Sequence, residues 1–368
     1  MKRSEVIVVG AGPAGIVAAI AARRFGLQVA VLDARTPPID KPCGEGILPQ
    51  GVAALKTLSI PLPPESAFLF RGISFVDEEH SARADFAGGS GYSVRRTKLH
   101  RHLVNYAAGE GVEFHWGARV TQIDSEAVTT AKEKFPYRWL IGADGQNSQV
   151  RKWAGLNSSF VPKKRFGFCS HFQLQPWSDV AEVHWARGCQ IFITPLAGQE
   201  VGVAVLSRQT GLRLAGALAQ FPALAQKLRG AAPATREFGD TTCLRILPAV
   251  ARGRVALIGD ASGTVDAVTG HGLSISFQQA IPLAEALRLS DLAHYQHAHR
   301  HIAAVPIAMS RLMLLMGGSD WIRSRTIRLF QNTPGLFLRL LAIHTETMPL
   351  SSVGVADIAG FGWKLLRA

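Results

Sequence analysis

Val6-Ile7-Val8-Val9-Gly10-Ala11-Gly12-Pro13-Ala14-Gly15 is the stretch that decides the fold. Four consecutive apolar residues, three of them valine, read as a strand buried on both faces, as strands of a parallel sheet are. The strand runs straight into a glycine-rich loop, and the Ala-rich segment Ile16–Arg24 predicts a helix. Gln28–Leu32 predicts a second strand, ending at Asp33. Gly10 permits the tight turn, Gly12 lets backbone approach a pyrophosphate, and Gly15 lets helix and strand pack closely. Pro13 and Ala14 complete the loop. The helix N-terminus offers unpaired N–H groups and the positive end of its dipole to phosphates. Asp33 lies 18 residues past Gly15, where an acid accepts hydrogen bonds from an adenosine ribose, and Arg35 is grouped with it. Strand, loop, helix, strand and acid in this order predict one firmly held dinucleotide. No second fingerprint occurs: Gly88-Gly89-Ser90-Gly91 follows no buried strand, and Gly354 to Gly360 has the wrong spacing. A nicotinamide donor would therefore bind without a Rossmann domain of its own.

Working outward, two more strand ends carry glycine and aspartate. Trp139-Leu140-Ile141-Gly142-Ala143-Asp144-Gly145 reads as a buried strand that runs on toward a helix at Val150-Arg151. Val255-Ala256-Leu257-Ile258-Gly259-Asp260 is another, and its loop continues to Gly270-His271-Gly272-Leu273, which opens a helix. These three segments resemble, in the right order over roughly residues 1 to 290, the three signatures of the para-hydroxybenzoate-hydroxylase-like flavoproteins. That superfamily includes aromatic-ring monooxygenases, geranylgeranyl reductases and flavin-dependent halogenases. The resemblance implies FAD as the cofactor. It also implies that Asp260 holds a ribityl or ribose hydroxyl, and that Asp144 sits near the pyrophosphate and a nicotinamide donor. Arg96, at a helix start, would reach the flavin phosphates or ribityl chain, and the backbone of Val120 would touch adenine. Asp144 and Asp260 can equally serve as helix N-caps.

Around the flavin ring the resemblance places the Gly270-His271-Gly272 turn, whose helix dipole would stabilise negative charge on a reduced ring. His271 is a candidate proton donor, since an ordinary imidazole titrates near ~6.5, or else a hydrogen-bonding wall residue. Pro42-Cys43-Gly44-Glu45-Gly46 is similar to a Cys-Gly segment beside the flavin in the geranylgeranyl-reductase branch. Its glycines allow close approach to a planar ring. Cys43 is a candidate substrate contact and Glu45 a candidate acid or base; the alternative is a loop that only shapes the cofactor site.

The expected architecture is an α/β, Rossmann-like FAD-binding domain with an inserted antiparallel-sheet substrate domain and a C-terminal helical region. Residues 1–66, 95–164 and 240–300 form the first, 67–94 and 165–239 the second, and 301–368 the third. Phe166–Phe172, Val180–Trp185, Gln190–Thr194 and Val201–Leu206 predict strands, with Pro195-Leu196-Ala197-Gly198 as a hairpin break. Residues 281–348 read as helices bounded by prolines 282, 306, 334 and 349.

Length and composition agree with this plan. The 368 residues suggest about two domains at roughly 150 residues each. With 47% hydrophobic and 18% charged residues the chain is globular. A formal charge of +13 favours anionic partners such as phosphorylated cofactors, acidic substrates or a membrane surface. No nucleic-acid recognition motif appears. Cys43, Cys169, Cys189 and Cys243 form no C-x-x-C, so no zinc site or redox disulfide of that type is expected, nor any other metal site. Scattered thiols fit a reducing cytosol. The start Met1-Lys2-Arg3 is not read as a secretory signal, because the glycines behind it fit a phosphate loop. No apolar run reaches the ~18 residues of a membrane span. The arginine-bearing helices near the C-terminus can pack on their own domain or lie on an anionic membrane, on the inner face. Oligomeric state is left open.

The expected function is an NADPH- or NADH-dependent monooxygenase that hydroxylates an aromatic or lipophilic small molecule. The alternatives are a flavin ene-reductase or dehydrogenase acting on an isoprenoid or long-chain lipid, and a flavin-binding module without turnover. Halogenation is disfavoured, since no Trp-x-Trp-x-Ile-Pro occurs. Gln190-Ile191-Phe192-Ile193-Thr194-Pro195 departs from the Tyr-x-Trp-x-Phe-Pro of prenyl reductases, which counts against a typical member of that branch.

Overall fold

Val6–Val9 (β1) has no polar side chain to present to water, and every one of its residues is buried in the centre of a six-stranded sheet. The computed structural model describes residues 4–158, 163–352, 354, 360, 362 and 365. The sheet order is Ala251–Arg252, Val255–Leu257, Trp139–Gly142, β1, Val29–Asp33 (β2) and Glu113–Trp116. All pairings are parallel except the Ala251–Arg252 edge. Val6 pairs with Val29 on one side and Trp139 on the other. The chain leaves β1 toward β2 on one side and leaves Trp139–Gly142 toward Val255–Leu257 on the other, so a crevice opens beyond the carboxyl ends of these two strands, where open parallel sheets bind ligands.

The helix after β1 (α1, Pro13–Arg24) starts three residues earlier than expected. Pro13 sits in its first turn, where a missing N–H costs nothing and the fixed φ is already helical. β2 runs one residue later than expected and ends on Asp33 itself. Behind α1 lies Gly272–Leu289 (α2), and the two pack along their length against the sheet.

A second sheet has the order Ala232–Pro233, Arg165–Gln173, Glu200–Ser207, Cys189–Leu196, Ala181–Ala186, Gly72–Val76 and Ser81–Asp85, with Phe238–Thr242 also pairing to Arg165–Gln173. It is not wholly antiparallel: Ala181–Ala186 runs parallel to Gly72–Val76. The hairpin also turns later than expected. Pro195 and Leu196 stay in register with Val201 and Glu200, and the chain reverses at the left-handed pair Gly198 and Gln199. Ala67–Phe70 and Gly91–Val94 form a separate small sheet with Gly46–Ile47.

Leu292–Met316 (α3), Asp320–Asn332 (α4) and Pro334–His344 (α5) cover one face of the second sheet. Phe330 and Phe337 stack with centroids 4.7 Å apart, and Phe337 meets Phe75 of the sheet at 5.1 Å. Pro334 opens a helix as expected, but Pro282 and Pro306 lie inside α2 and α3 rather than at boundaries. An interior proline costs about 3 kcal/mol. The buried apolar stripes of helices of 18 and 25 residues outweigh that loss. Most of the stretch 353–368 of the expected helical region lies outside the described residues.

Candidate functional site

A cavity of about 600 Å³ runs from the crevice at β1 to the space between the second sheet and α3–α5. Gly10, at φ +109°, leaves so little room that a Cβ would stand 2.4 Å from the Ala143 carbonyl. A Cβ on Gly15 would stand 2.0 Å from the Gly10 carbonyl. Gly12 faces the cavity instead, with only an Arg96 nitrogen within 4 Å of a would-be Cβ. Asp33 holds the loop in shape: its carboxylate accepts from the amides of Ala11 and Arg35, both at 2.8 Å. His100 braces the loop from below. It accepts from the Ile39 amide at Nδ1, so its Nε2–H donates to the Ala11 carbonyl at 2.8 Å. Burial holds its pKa down, which keeps the ring neutral. The sequence shows His100 only as one basic residue in a basic helix, and nothing local marks this role.

The next stretch of the cavity is positively charged. Arg96 begins the helix Arg96–Gly109 with its guanidinium between the phosphate loop and Cys43, and its Nε is buried with no partner among the described residues. Arg35 and Val120 line the same end. Lys41, absent from the sequence-based candidates, is lowered in pKa by burial and by Arg35 and Arg96. Asp260 opens onto the cavity from the turn Gly259–Ser262 and makes no hydrogen bond through its carboxylate to a described residue. Protein crowding pushes its pKa up while Lys41 and Arg96 pull it down. Gly259 is required where it is, because a Cβ there would meet Ala14 at 2.7 Å. Orphaned cationic donors beside a bare helix N-terminus and a free carboxylate fit a diphosphate next to a polyol, which is the centre of FAD.

At three candidate residues the side chain is committed to structural bonds, the non-catalytic of the roles expected for it. Asp144 and Gly145 border the cavity, but the Asp144 carboxylate turns to its own helix, accepting from Gln149 N at 2.7 Å, Val150 N at 3.2 Å and the Ser148 hydroxyl. It acts as a cap. Glu45 is 2% exposed and both its oxygens are committed. One accepts from Arg95 at 3.0 Å and the Arg96 amide at 2.8 Å, and the other bonds His171 at 2.9 Å. It is a strut rather than a free acid or base. His271 does not border the cavity, unlike its neighbours Gly270, Gly272 and Leu273. Its Nε2–H donates to the His344 carbonyl at 2.9 Å. Burial lowers its pKa to about 4, so the ring is neutral and holds no imidazolium proton to give at neutral pH. His344, the last residue of α5, borders the cavity in its place.

Cys43 and Gly44 border the cavity where the charged section ends. Burial raises the Cys43 thiol above its ordinary range, and raises the adjacent Cys169 to about 12, so both remain protonated. Beyond them the walls are Phe75, Val183, Leu206, Met313 and Phe337; Asp240, the charged lining residue that the second sheet contributes among those described, lies at the other end, within reach of Lys41 and Asp260.

The cavity thus joins a diphosphate cradle to an apolar chamber. Residues 3–213 match the family model described as "FAD binding domain". The chain belongs to that FAD-binding family. It is an FAD-dependent oxidoreductase of the para-hydroxybenzoate-hydroxylase-like superfamily. Among curated relatives, the flavoprotein is 29% identical over 323 residues to menaquinone reductase of Mycobacterium tuberculosis (strain CDC 1551 / Oshkosh), covering 79% of this chain and 78% of that protein. It is 27% identical over 326 residues to digeranylgeranylglycerophospholipid reductase 1 of Methanococcoides burtonii, covering 78% and 76%. Among solved structures, p-nitrophenol 4-monooxygenase of Pseudomonas putida DLL-E4 superposes with TM-score 0.78 at 17% identity, over 94% and 97% of the two chains. A geranylgeranyl bacteriochlorophyll reductase-like protein of Thermoplasma acidophilum gives 0.72 at 18%, over 98% and 96%. One fold therefore carries both oxygenation and reduction, and the fold alone does not choose between them.

The buried histidines of this flavoprotein set a pH dependence. His271 and His299 both fall from an ordinary 6.5 to about 4 through burial. Between those values the unfolded chain holds protons that the folded chain lacks, so stability rises with pH. It is fully present above 6.5 and is lost as pH falls toward 4, by about 3 kcal/mol for each histidine. Urea unfolding at about pH 7.5 and about pH 5 will show the loss, and His271→Asn will flatten the difference. An Asn variant with the wild-type slope would refute the assignment to His271.

Proposed function

We propose that this flavoprotein is an NADPH- or NADH-driven reductase that saturates a carbon–carbon double bond in an isoprenoid or other long-chain lipid. The observation that carries the reading is the apolar chamber. A phenolic substrate needs a base to strengthen its ring as a nucleophile, and the described residues of the apolar section offer none that suits, Asp240 and Asp260 standing at the charged end. Glu45 is locked in its ion pairs, His344 is held well below its ordinary pKa by burial, and both thiols keep their protons. A prenyl chain needs only apolar walls that exclude water and hold it extended. Phe75, Met313 and Phe337 provide such walls, and methionine adapts to an irregular chain. Bound FAD supplies hydride-transfer chemistry at the cradle. Arg96 and Lys41 anchor its phosphates, and the dipole of α2 at Gly272 favours negative charge on what faces it.

The names of the relatives point the same way, since both curated proteins above are reductases. The departure at residues 190–195 from the aromatic pattern of prenyl reductases argues less than the sequence alone suggests, because similarity to these reductases extends over more than three quarters of the chain. Anaerobic incubation of the chemically reduced holoprotein with a geranylgeranyl-bearing lipid tests the proposal by mass spectrometry. The expected product gains two hydrogen atoms per turnover and no oxygen. Product that carries added oxygen when air is admitted, with no saturation under argon, would transfer the protein to the monooxygenases.

A further inference from the structure

The three C-terminal helices are two-faced. Met309, Met313 and Met316 of α3, Phe330 of α4 and Phe337 of α5 point inward and line the chamber. The opposite faces carry large apolar side chains in water: Leu315 is 56% exposed, Trp321 48% and Leu338 47%. Spacing follows the helical repeat. Arg311 and Leu315 lie one turn apart, and Trp321, Arg325 and Arg328 share one stripe of α4. Arg325 lies over the Trp321 ring at 4.7 Å, which keeps the aromatic plane at the surface. Over residues 292–350 six arginines stand against two acids, Asp320 and Glu346, in a chain whose formal charge is +13. Asp320 is already paired with Arg323 at 2.6 Å.

Exposed leucine and tryptophan interleaved with arginine is a pattern for the boundary between headgroups and acyl chains. Among the described residues no single helix is long and apolar enough to cross a membrane, and α3 meets α4 at 114°. We propose that the outer face of α3–α5 docks on an anionic phospholipid surface. Docking would place the chamber about one helix diameter, roughly 10 Å, from the acyl region. Negative lipids complement the positive charge of the exposed Arg311 and Arg328 while Leu315, Trp321 and Leu338 leave water. A second copy of the chain would bring arginine against arginine, so the charge pattern favours lipid over self-association.

Flotation of the full-length holoprotein with phosphatidylcholine vesicles, with and without phosphatidylglycerol, tests this without any turnover. Its outcome is therefore independent of the reductase reading. Wild type should float with the anionic vesicles and stay behind with neutral ones. Leu315→Glu/Leu338→Glu should abolish flotation. Arg311→Glu/Arg328→Glu should weaken it by at least about 25-fold, at about fivefold for each of the two positive charges lost. Unchanged flavin content and melting temperature will show that both variants are folded. Failure of wild type to float, equal flotation with neutral vesicles, variants that float like wild type, or a dimer that the leucine substitutions dissociate would each overturn the proposal.

Discussion

Gly15→Ala will yield a protein that emerges from purification without flavin colour. A methyl group at this position stands 2.0 Å from the Gly10 carbonyl oxygen and 3.0 Å from the Ala143 side chain. The nearer atom belongs to the backbone of the phosphate loop and has no rotamer to escape into. α1 must therefore move away from β1, or the loop must open. Either movement displaces the amide groups at the head of α1 from the place where a diphosphate meets them. Overpacking of this kind costs about 1–3 kcal/mol or more in stability. Gly12→Ala is the informative companion. It meets nothing of the protein within 3.9 Å, so the chain keeps its fold, but its methyl enters the cavity and weakens FAD binding alone. Visible absorbance per protein and the urea midpoint separate the two effects. A fully yellow Gly15→Ala variant of normal stability would mean that the loop does not approach its strand as described.

What the sequence makes legible is local. β1, its loop and Asp33 announce themselves because each glycine answers to a neighbour a few residues or one strand away. The same holds for Gly259, pressed against Ala14 at the start of α1. What stays hidden depends on distant partners. Gly270 is left-handed and His271 follows it, but which way the ring turns is decided by His344, 73 residues later. His100 is read correctly only when Ala11 and Ile39 are seen on either side of its ring. Pro282 and Pro306 look like stops because a local rule forbids them in helices. They are overruled by packing whose extent no local window contains. The wall of the chamber illustrates the limit best: Phe75, Val183 and Phe337 come from three separate segments, and nothing in any one of them indicates a shared cavity.

Glu45 is where the two readings of the site give opposite results. As an acid or base it could be replaced by glutamine with loss of turnover and little loss of stability. The structure makes it one member of a buried cluster instead. Arg95 lies 3.0 Å from Glu45 and 3.4 Å from Glu200, and His171 closes the group through Glu45 and Thr235. Glu45 adopts φ +61°, an uncommon conformation for a residue with a side chain, and these bonds hold it there. Since Cys43 and Gly44 precede it at the cavity wall, the cluster is what pins that wall to the second sheet. Arg95→Met leaves two buried carboxylates without their cation and should cost about 3–5 kcal/mol. Adding Glu45→Gln to Arg95→Met should restore part of the loss, a coupling that a double-mutant cycle in urea will measure. FAD content should fall less than turnover, because the phosphate loop is braced separately by Asp33 and His100. If Glu45→Gln alone leaves stability at the wild-type value while abolishing turnover, the carboxylate is a chemical participant and the strut is not its role.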